Sequence, residues 1–263
     1  MTKKRPTRTG KPAWTGKDLL GLAELSAKQI LHILDTAAKY EKAAAGLARA
    51  APVLSGKAVA LLFFEPSTRT AASFRLAAAR LGADVVEIRT ATSSVTKGET
   101  LLDTVRNIEA MGVGAFVIRH GEAEAPHGVA REIRASVINA GDDANEHPTQ
   151  GLLDIFTLRQ KRGKIKGLTV SIVGDILHSR VARSNAYGLR KLGAKVIFVG
   201  PPALVPMRFE EMGVEVSHDF DAVLPRCDAV NMLRMQFERH GGKSSASRKA
   251  PKGYKEKFQL NAR

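Results

Sequence analysis

The sequence predicts an α/β protein of two similar domains, each a parallel sheet flanked by helices, with the active site in the cleft between them. Three observations predict it. Short continuous apolar runs, such as Val59–Phe64 and Leu168–Val173, read as buried parallel strands. They alternate with segments of helical period that stop at a glycine, such as Thr68–Leu81 before Gly82 and Glu99–Met111 before Gly112. The alternation runs twice, on either side of a helix over Thr149–Gln160, without an internal sequence repeat.

The elements follow in order. Ser26–Ala45 is an amphipathic helix opened by a Ser cap. Val59–Phe64 is a strand, Thr68–Leu81 a helix and Asp84–Ile88 a strand. Thr90–Gly98 is a polar loop without either period. Glu99–Met111 is a helix, Ala115–Arg119 a strand, Gly128–Ala135 a helix and Val137–Asn139 a short strand. This first domain spans 1–148. The second, 149–263, opens with the bridging helix. It continues as strand Leu168–Val173, helix Ser179–Leu192, strand Lys195–Val199, short helix Pro202–Met212, and strands Val214–Ser217 and Ala229–Leu233. Gly241–Gly253 is rich in Gly, Ser and Lys and reads as a loop, and Lys255–Arg263 reads as a helix.

Bulk composition narrows the function. The chain has 263 residues, 44% hydrophobic, enough for one large or two medium cores. No apolar run approaches the ~18 residues of a membrane span, and Met1–Lys17 is basic without the apolar core of a secretory signal. Cys227 is the single cysteine, which excludes an internal disulfide and a cysteine metal cluster. A cytoplasmic enzyme that binds neither membrane nor nucleic acid fits these bounds. The formal charge of +15 first suggests nucleic acid, but residues 1–17 carry +6 and residues 239–263 carry +7, which leaves only +2 for 18–238.

The strongest chemical signal is Phe63-Phe64-Glu65-Pro66-Ser67-Thr68-Arg69-Thr70, where an apolar strand ends and a helix begins. Helix N-termini favour anions, hydroxyls add donors, and a guanidinium binds phosphate in a planar fork. Ser67, Thr68, Arg69 and Thr70 therefore read as a phosphate cradle. From spacing alone, a plain Ser cap followed by an exposed Arg is about as good a reading. A Walker loop is excluded because its Gly-rich turn and Lys are absent. Val173-Gly174-Asp175-Ile176-Leu177-His178-Ser179-Arg180 follows a strand and enters a helix, the right place for a ligand contact, and it lacks the G-x-G-x-x-G of dinucleotide sites.

Pro66-Ser67-Thr68-Arg69-Thr70 after an apolar strand resembles the carbamoyl-phosphate motif of the aspartate and ornithine carbamoyltransferase family, and five further segments match in order between Trp14 and about Phe258. Ser93-Ser94-Val95-Thr96-Lys97-Gly98 looks like the family's swinging loop, whose Ser and Lys reach a neighbouring subunit's site; this implies Ser93 and Lys97, although Lys97 alone would be an ordinary solvated lysine. Arg119-His120 is similar to the family's Arg that contacts phosphate and carbonyl oxygen. His147-Pro148-Thr149-Gln150 resembles the segment with the carbonyl-polarising His and the Gln that binds the carbamoyl amide. Its Thr149 looks like the aspartate branch, since the ornithine branch usually has Cys there. Arg180 then meets a substrate carboxylate, and Leu233-Arg234-Met235-Gln236-Phe237-Glu238-Arg239 supplies Arg234 and Gln236 for the aspartate side chain.

The resemblance implies transfer of a carbamoyl group from carbamoyl phosphate to the amine of L-aspartate, a step type of pyrimidine synthesis. It assigns carbamoyl phosphate to 1–148 and aspartate to 149–263. Arg69, Arg119, Arg180, Arg234 and Lys97 would pair the substrate anions, and Thr70, Arg119 and His147 would stabilise the oxyanion. No metal and no cofactor is implied. A homotrimer with shared sites is implied, with room for higher assembly with other pyrimidine-pathway chains. The family continues past residue 263, through a His-Pro-x-Pro segment and a final helix, so the second domain is expected to be incomplete at its C-terminus. Two alternatives stay open: a carbamoyltransferase for another amine such as ornithine, which Arg180 and Arg234 disfavour by repulsion, and a non-catalytic truncated homologue that uses its basic ends to hold a partner.

Overall fold

Two four-stranded, all-parallel sheets carry the fold, each with its own core. The computed structural model describes Trp14 and residues 16–48, 50–89, 100–235 and 254–258. The first half runs α1 (Ala27–Ala44), β1 (Ala58–Phe63), α2 (Thr68–Arg80), β2 (Asp84–Arg89), α3 (Leu101–Ala110), β3 (Val113–His120), α4 (Ala125–Glu132) and β4 (Ser136–Asp142). The second runs α5 (Pro148–Arg162), β5 (Thr169–Val173), α6 (Arg180–Lys191), β6 (Lys195–Val199), a 3-10 helix over Met207–Met212, β7 (Glu215–Ser217), α7 (Phe220–Val223) and β8 (Ala229–Met232), and α8 (Tyr254–Lys257) follows. The proposed domain boundary falls at the start of α5.

The apolar runs are central strands because both faces of each sheet are covered. Ala60 and Leu62 on β1 pair in register with Phe116 and Ile118 on β3, and all four side chains are fully buried. In the second sheet Ile172, Phe198 and Val199 are fully buried in the same way. Fully burying each such side chain is worth roughly 1.5–3 kcal/mol. No helix among the described residues is long and apolar enough to cross a membrane.

Strand order brings the candidate site residues to two places. The first sheet is ordered β2-β1-β3-β4 and the second β7-β6-β5-β8. Each order reverses direction once, between β1 and β3 and between β5 and β8. At such a reversal the loops leaving the carboxyl ends diverge and open a crevice. The Ser67–Thr70 segment follows β1 and Arg119 lies near the end of β3. Gly174–Arg180 follows β5 and Arg234 follows β8. These four segments thus lie at the two switch points, while His147–Gln150 follows β4 and opens α5.

Local chemistry explains most boundaries. Ser26 caps α1 in a reciprocal pair with Gln29. Thr100 and Ser179 cap α3 and α6 through the N–H groups of Asp103 and Ala182. Several elements differ from expectation, and three of the differences have a local cause. The fourth helix starts at Ala125, three residues before the expected Gly128, because Pro126 in the first turn needs no N–H partner there. Of the short helix expected over Pro202–Met212, only Met207–Met212 is helical and it is 3-10, since Pro206 cannot donate and ends the preceding turn. The four-residue α7, capped by Asp219, is too short to leave a period in the sequence. The Thr90–Gly98 loop lies outside the described residues, as do Gly241–Gly253 and 259–263.

The halves are joined by more than α5. Leu19 pairs with Ile138 at the edge of the first sheet, through Leu19 N–H to Val137 O and Asn139 N–H to Leu19 O, each 2.9 Å. The next residues are held by α6 and by the segment just before α5. The Lys191 ammonium at the end of α6 donates to the carbonyls of Leu22, Ala23 and Leu25 at 2.5–2.7 Å. The buried Glu146 carboxylate accepts from Leu22 N at 2.8 Å, Ala23 N at 3.0 Å and Ser184 Oγ at 2.8 Å. Gly21 leaves room for that carboxylate, because a Cβ there would overlap Glu146 Oε1.

Candidate active site

A cleft of about 810 Å³ lies between the halves, walled by Ser67–Thr70 and Arg119 on one side and Ser179, Arg180 and Leu233–Arg234 on the other. His147, Gln150 and Asp154 on α5 also line it. The structure thus brings together nine residues singled out from sequence: Ser67, Thr68, Arg69, Thr70, Arg119, His147, Gln150, Arg180 and Arg234. Ser93, Lys97 and Gln236 lie outside the described residues.

The start of α2 is built to receive an anion. Ser67 occupies the N-cap position, but its hydroxyl makes no capping bond. It donates instead to Thr70 Oγ1 at 2.8 Å. The N–H groups of the first turn therefore face the cleft without a side-chain cap, and they carry the positive end of the helix dipole. Arg69 beside them is exposed.

Opposite lies a carboxylate whose role cannot be read from the motif. Glu65 Oε2 is 2.8 Å from Arg180 Nη2 and 3.3 Å from Arg119 Nη2, so one residue of the first half pairs with an arginine from each half. Arg119 Nη1 also donates to Ala140 O at 3.3 Å. The Arg180 side chain, 6% exposed, crosses Gly141, where a Cβ would stand 2.8 Å from Nε. Gly141 has φ +116°, so both its conformation and its bareness serve the contact. Glu65 thus supplies a counter-charge to both guanidiniums.

His147 precedes Pro148 at the start of α5 and is 6% exposed. Its backbone N–H donates to Ser184 Oγ at 2.9 Å. Burial, with the nearby charges of Arg180 and Arg119, lowers the imidazole pKa from the ordinary 6.5 to about 3. It is neutral at physiological pH and can donate one N–H without adding charge. A group whose folded pKa is depressed contributes stability that is present above pH 6.5 and lost as pH falls towards about 3. His147→Gln should therefore flatten the acid limb of a stability–pH curve across that window, and an unaltered limb would contradict the burial of a neutral ring.

On α5 one turn beyond, Gln150 Nε2 donates to Asp154 Oδ1 at 2.8 Å. Asp154 Oδ2 accepts from Asn185 Nδ2 at 2.7 Å and Asn231 Nδ2 at 3.5 Å. Sequence reading missed Glu65, Glu146, Asp154 and Lys191. Only Glu65 left a signal, as an acid inside the phosphate motif.

The carbamoyl-P binding domain of aspartate/ornithine carbamoyltransferases matches residues 17–160, more than half of the chain. The aspartate carbamoyltransferase catalytic subunit of Syntrophobacter fumaroxidans is 54% identical over 223 residues, which cover 85% of this chain and 73% of that one. The chain belongs to the aspartate/ornithine carbamoyltransferase family. The corresponding subunit of Rhodopirellula baltica is 51% identical over 248 residues, covering 89% of this chain and 72% of the relative. Among solved structures, aspartate transcarbamoylase from Trypanosoma cruzi in complex with carbamoyl phosphate superposes with a TM-score of 0.80 at 30% identity, over 94% of this chain and 80% of that one. The complex of that enzyme with carbamoyl phosphate and aspartate gives 0.78 at 32% identity, over 88% and 76% of the two chains. The family's two-sheet α/β fold is the one described above.

Proposed function

We propose that this chain transfers the carbamoyl group of carbamoyl phosphate to the amine of L-aspartate, giving N-carbamoyl-L-aspartate and phosphate. The observation that carries the reading is the convergence of four arginines, a neutral histidine and the open N-terminus of α2 on one cleft. The substrates together bring a phosphate and two carboxylates. A site rich in fixed guanidiniums suits that charge and repels a cationic amine such as ornithine.

In this reading Ser67, Thr68, Arg69 and the first turn of α2 hold the phosphate, and Arg180 and Arg234 hold the carboxylates. The division of substrates between 1–148 and 149–263 follows from that. The aspartate nitrogen attacks the carbonyl carbon, and negative charge grows on the carbonyl oxygen. Thr70, Arg119 and the neutral His147 N–H are donors directed at that oxygen. The bond from carbon to the phosphate oxygen breaks, and the departing phosphate or solvent takes the amine proton. The fixed side chains act chiefly by positioning the two substrates. Glu65 exchanges its hold on Arg119 and Arg180 for a shared one once substrate anions arrive.

A homotrimer with shared sites, in which Ser93 and Lys97 enter a neighbour's cleft, is the finer part of the proposal. It is supported by an apolar face beside the cleft that α2 and β2 leave uncovered. Leu76 is 54% exposed and Val86 39%, and Ala78 is the only buried side chain described on α2. The test is an assay for N-carbamoylaspartate with the mass of the assembly measured in the same preparation. Product from aspartate but not ornithine, made by a three-chain species, is the expected result. Equal product from ornithine would overturn the substrate assignment, and an active monomer would overturn the shared site.

A further inference from the structure

Within the proposed carbamoyl transfer, on which this inference rests, we infer that Asp154 is a positioning residue that sets which end of the Gln150 amide faces the substrate, and so selects a carbamoyl over an acetyl group. The argument begins with the amide. Gln150 has a donor end and an acceptor end, and which one faces the cleft decides what chemistry the cleft prefers there. An ionised carboxylate only accepts. Asp154, one helical turn further along α5, takes Gln150 Nε2 at 2.8 Å and thereby turns Oε1 away from itself. Among the described residues nothing donates to that Oε1, and both Gln150 and Asp154 line the cleft.

Asp154 is itself held in place. Its second oxygen accepts from Asn185 Nδ2 on α6 at 2.7 Å and from Asn231 Nδ2 on β8 at 3.5 Å. Asn185 is 1% exposed, so its grip is shielded from water. Three amide donors from three elements of the second half thus converge on one carboxylate, at the wall between the cleft and a second, mainly apolar cavity of about 450 Å³ beside α5 and β8. With its second oxygen taken by the two Asn amides, the carboxylate offers Gln150 only an acceptor, which suits the –NH2 end of its amide and not Oε1.

The consequence is a selectivity. Carbamoyl phosphate and acetyl phosphate share the phosphate and the carbonyl and differ in an –NH2 against a –CH3 of similar size. An outward Gln150 Oε1 accepts from the –NH2 and is left unpaired by the –CH3. A site built to hydrogen-bond one group rejects the isostere that lacks it far better than a hydrophobic pocket can.

Asp154→Asn tests this. Its amide can donate to Gln150 Oε1, which lets Gln150 turn its –NH2 to the cleft. Calorimetry with carbamoyl phosphate, acetyl phosphate and inorganic phosphate is run on parent and variant. Carbamoyl phosphate should bind at least tenfold more weakly to the variant, with acetyl phosphate and phosphate within twofold of the parent. Asp154→Glu, which keeps an acceptor, should recover most of the preference, and Asp154→Asn should change nothing further in a Gln150→Ala background. An unchanged preference, or the same loss in the Gln150→Ala background, overturns the role of Asp154 while leaving carbamoyl transfer intact. A parent that does not prefer carbamoyl phosphate overturns both. If Asp154→Asn does not fold, Asp154→Ser replaces it with the same expected loss, and failure of both to fold makes Asp154 a folding residue and overturns the inference.

Discussion

Arg119→Ala is expected to lower kcat/KM by about 10²–10³ while the chain stays folded. Arg119 follows the buried centre of β3 and its side chain is only 14% exposed. Its guanidinium is fixed from behind by Glu65 and by the carbonyl of Ala140. A donor held in that way pays little reorganisation when negative charge grows on a carbonyl oxygen beside it, and the partly buried cleft strengthens the interaction relative to water. Folding should survive because Glu65 keeps Arg180 as its closer partner, at 2.8 Å. Arg119→Lys should recover only part of the rate, since an ammonium restores charge but not the planar fork. Steady-state kinetics beside thermal melting decide the matter. A loss below tenfold with an unchanged melting temperature would remove Arg119 from the reacting centre.

The largest effect on stability is expected at Glu146, well away from the chemistry. Glu146→Ala should destabilise the chain by about 3–5 kcal/mol, because three donors lose their acceptor at roughly 1–3 kcal/mol each. The carboxylate is 3% exposed and accepts from two backbone N–H groups and a hydroxyl. Removing it strands those donors and takes away one of two negative charges, with Glu24, that favour the Lys191 ammonium. These contacts tie the 19–25 segment to α6, so the loss should also loosen the two halves against each other. Burial raises the Glu146 pKa above the ordinary 4.5, more than its three donors lower it. The stability linked to its protonation is therefore present below pH 4.5 and lost as pH rises through the higher folded value. Glu146→Gln should remove that dependence at a smaller loss, because Gln keeps one acceptor but turns a donor towards a backbone N–H. Denaturant unfolding at several pH values measures both. A loss under about 1 kcal/mol for Glu146→Ala would show that the junction is held elsewhere.

Much of this protein is legible along the chain because the information is local. An apolar run followed by Gly or by hydroxyls states where a strand ends, and Ser26 announces a helix by its own capping chemistry. Ligand residues of α/β folds collect where strands stop, so the Ser67–Thr70 and Gly174–Arg180 segments could be read as candidates from position, whereas Arg119 and Arg234 were implied only by the resemblance to the family. What only the tertiary structure decided is the pairing. Glu65 meets Arg180 across 115 residues, Glu146 meets Leu22 across 124, and Lys191 reaches Leu22 across 169. A Glu in a polar turn reads alike whether it is solvated or buried, because its neighbours in sequence do not determine its neighbours in space. The order of strands in the two sheets determines those, and it turns a solvated acid into the counter-charge of two arginines or the anchor of a domain junction.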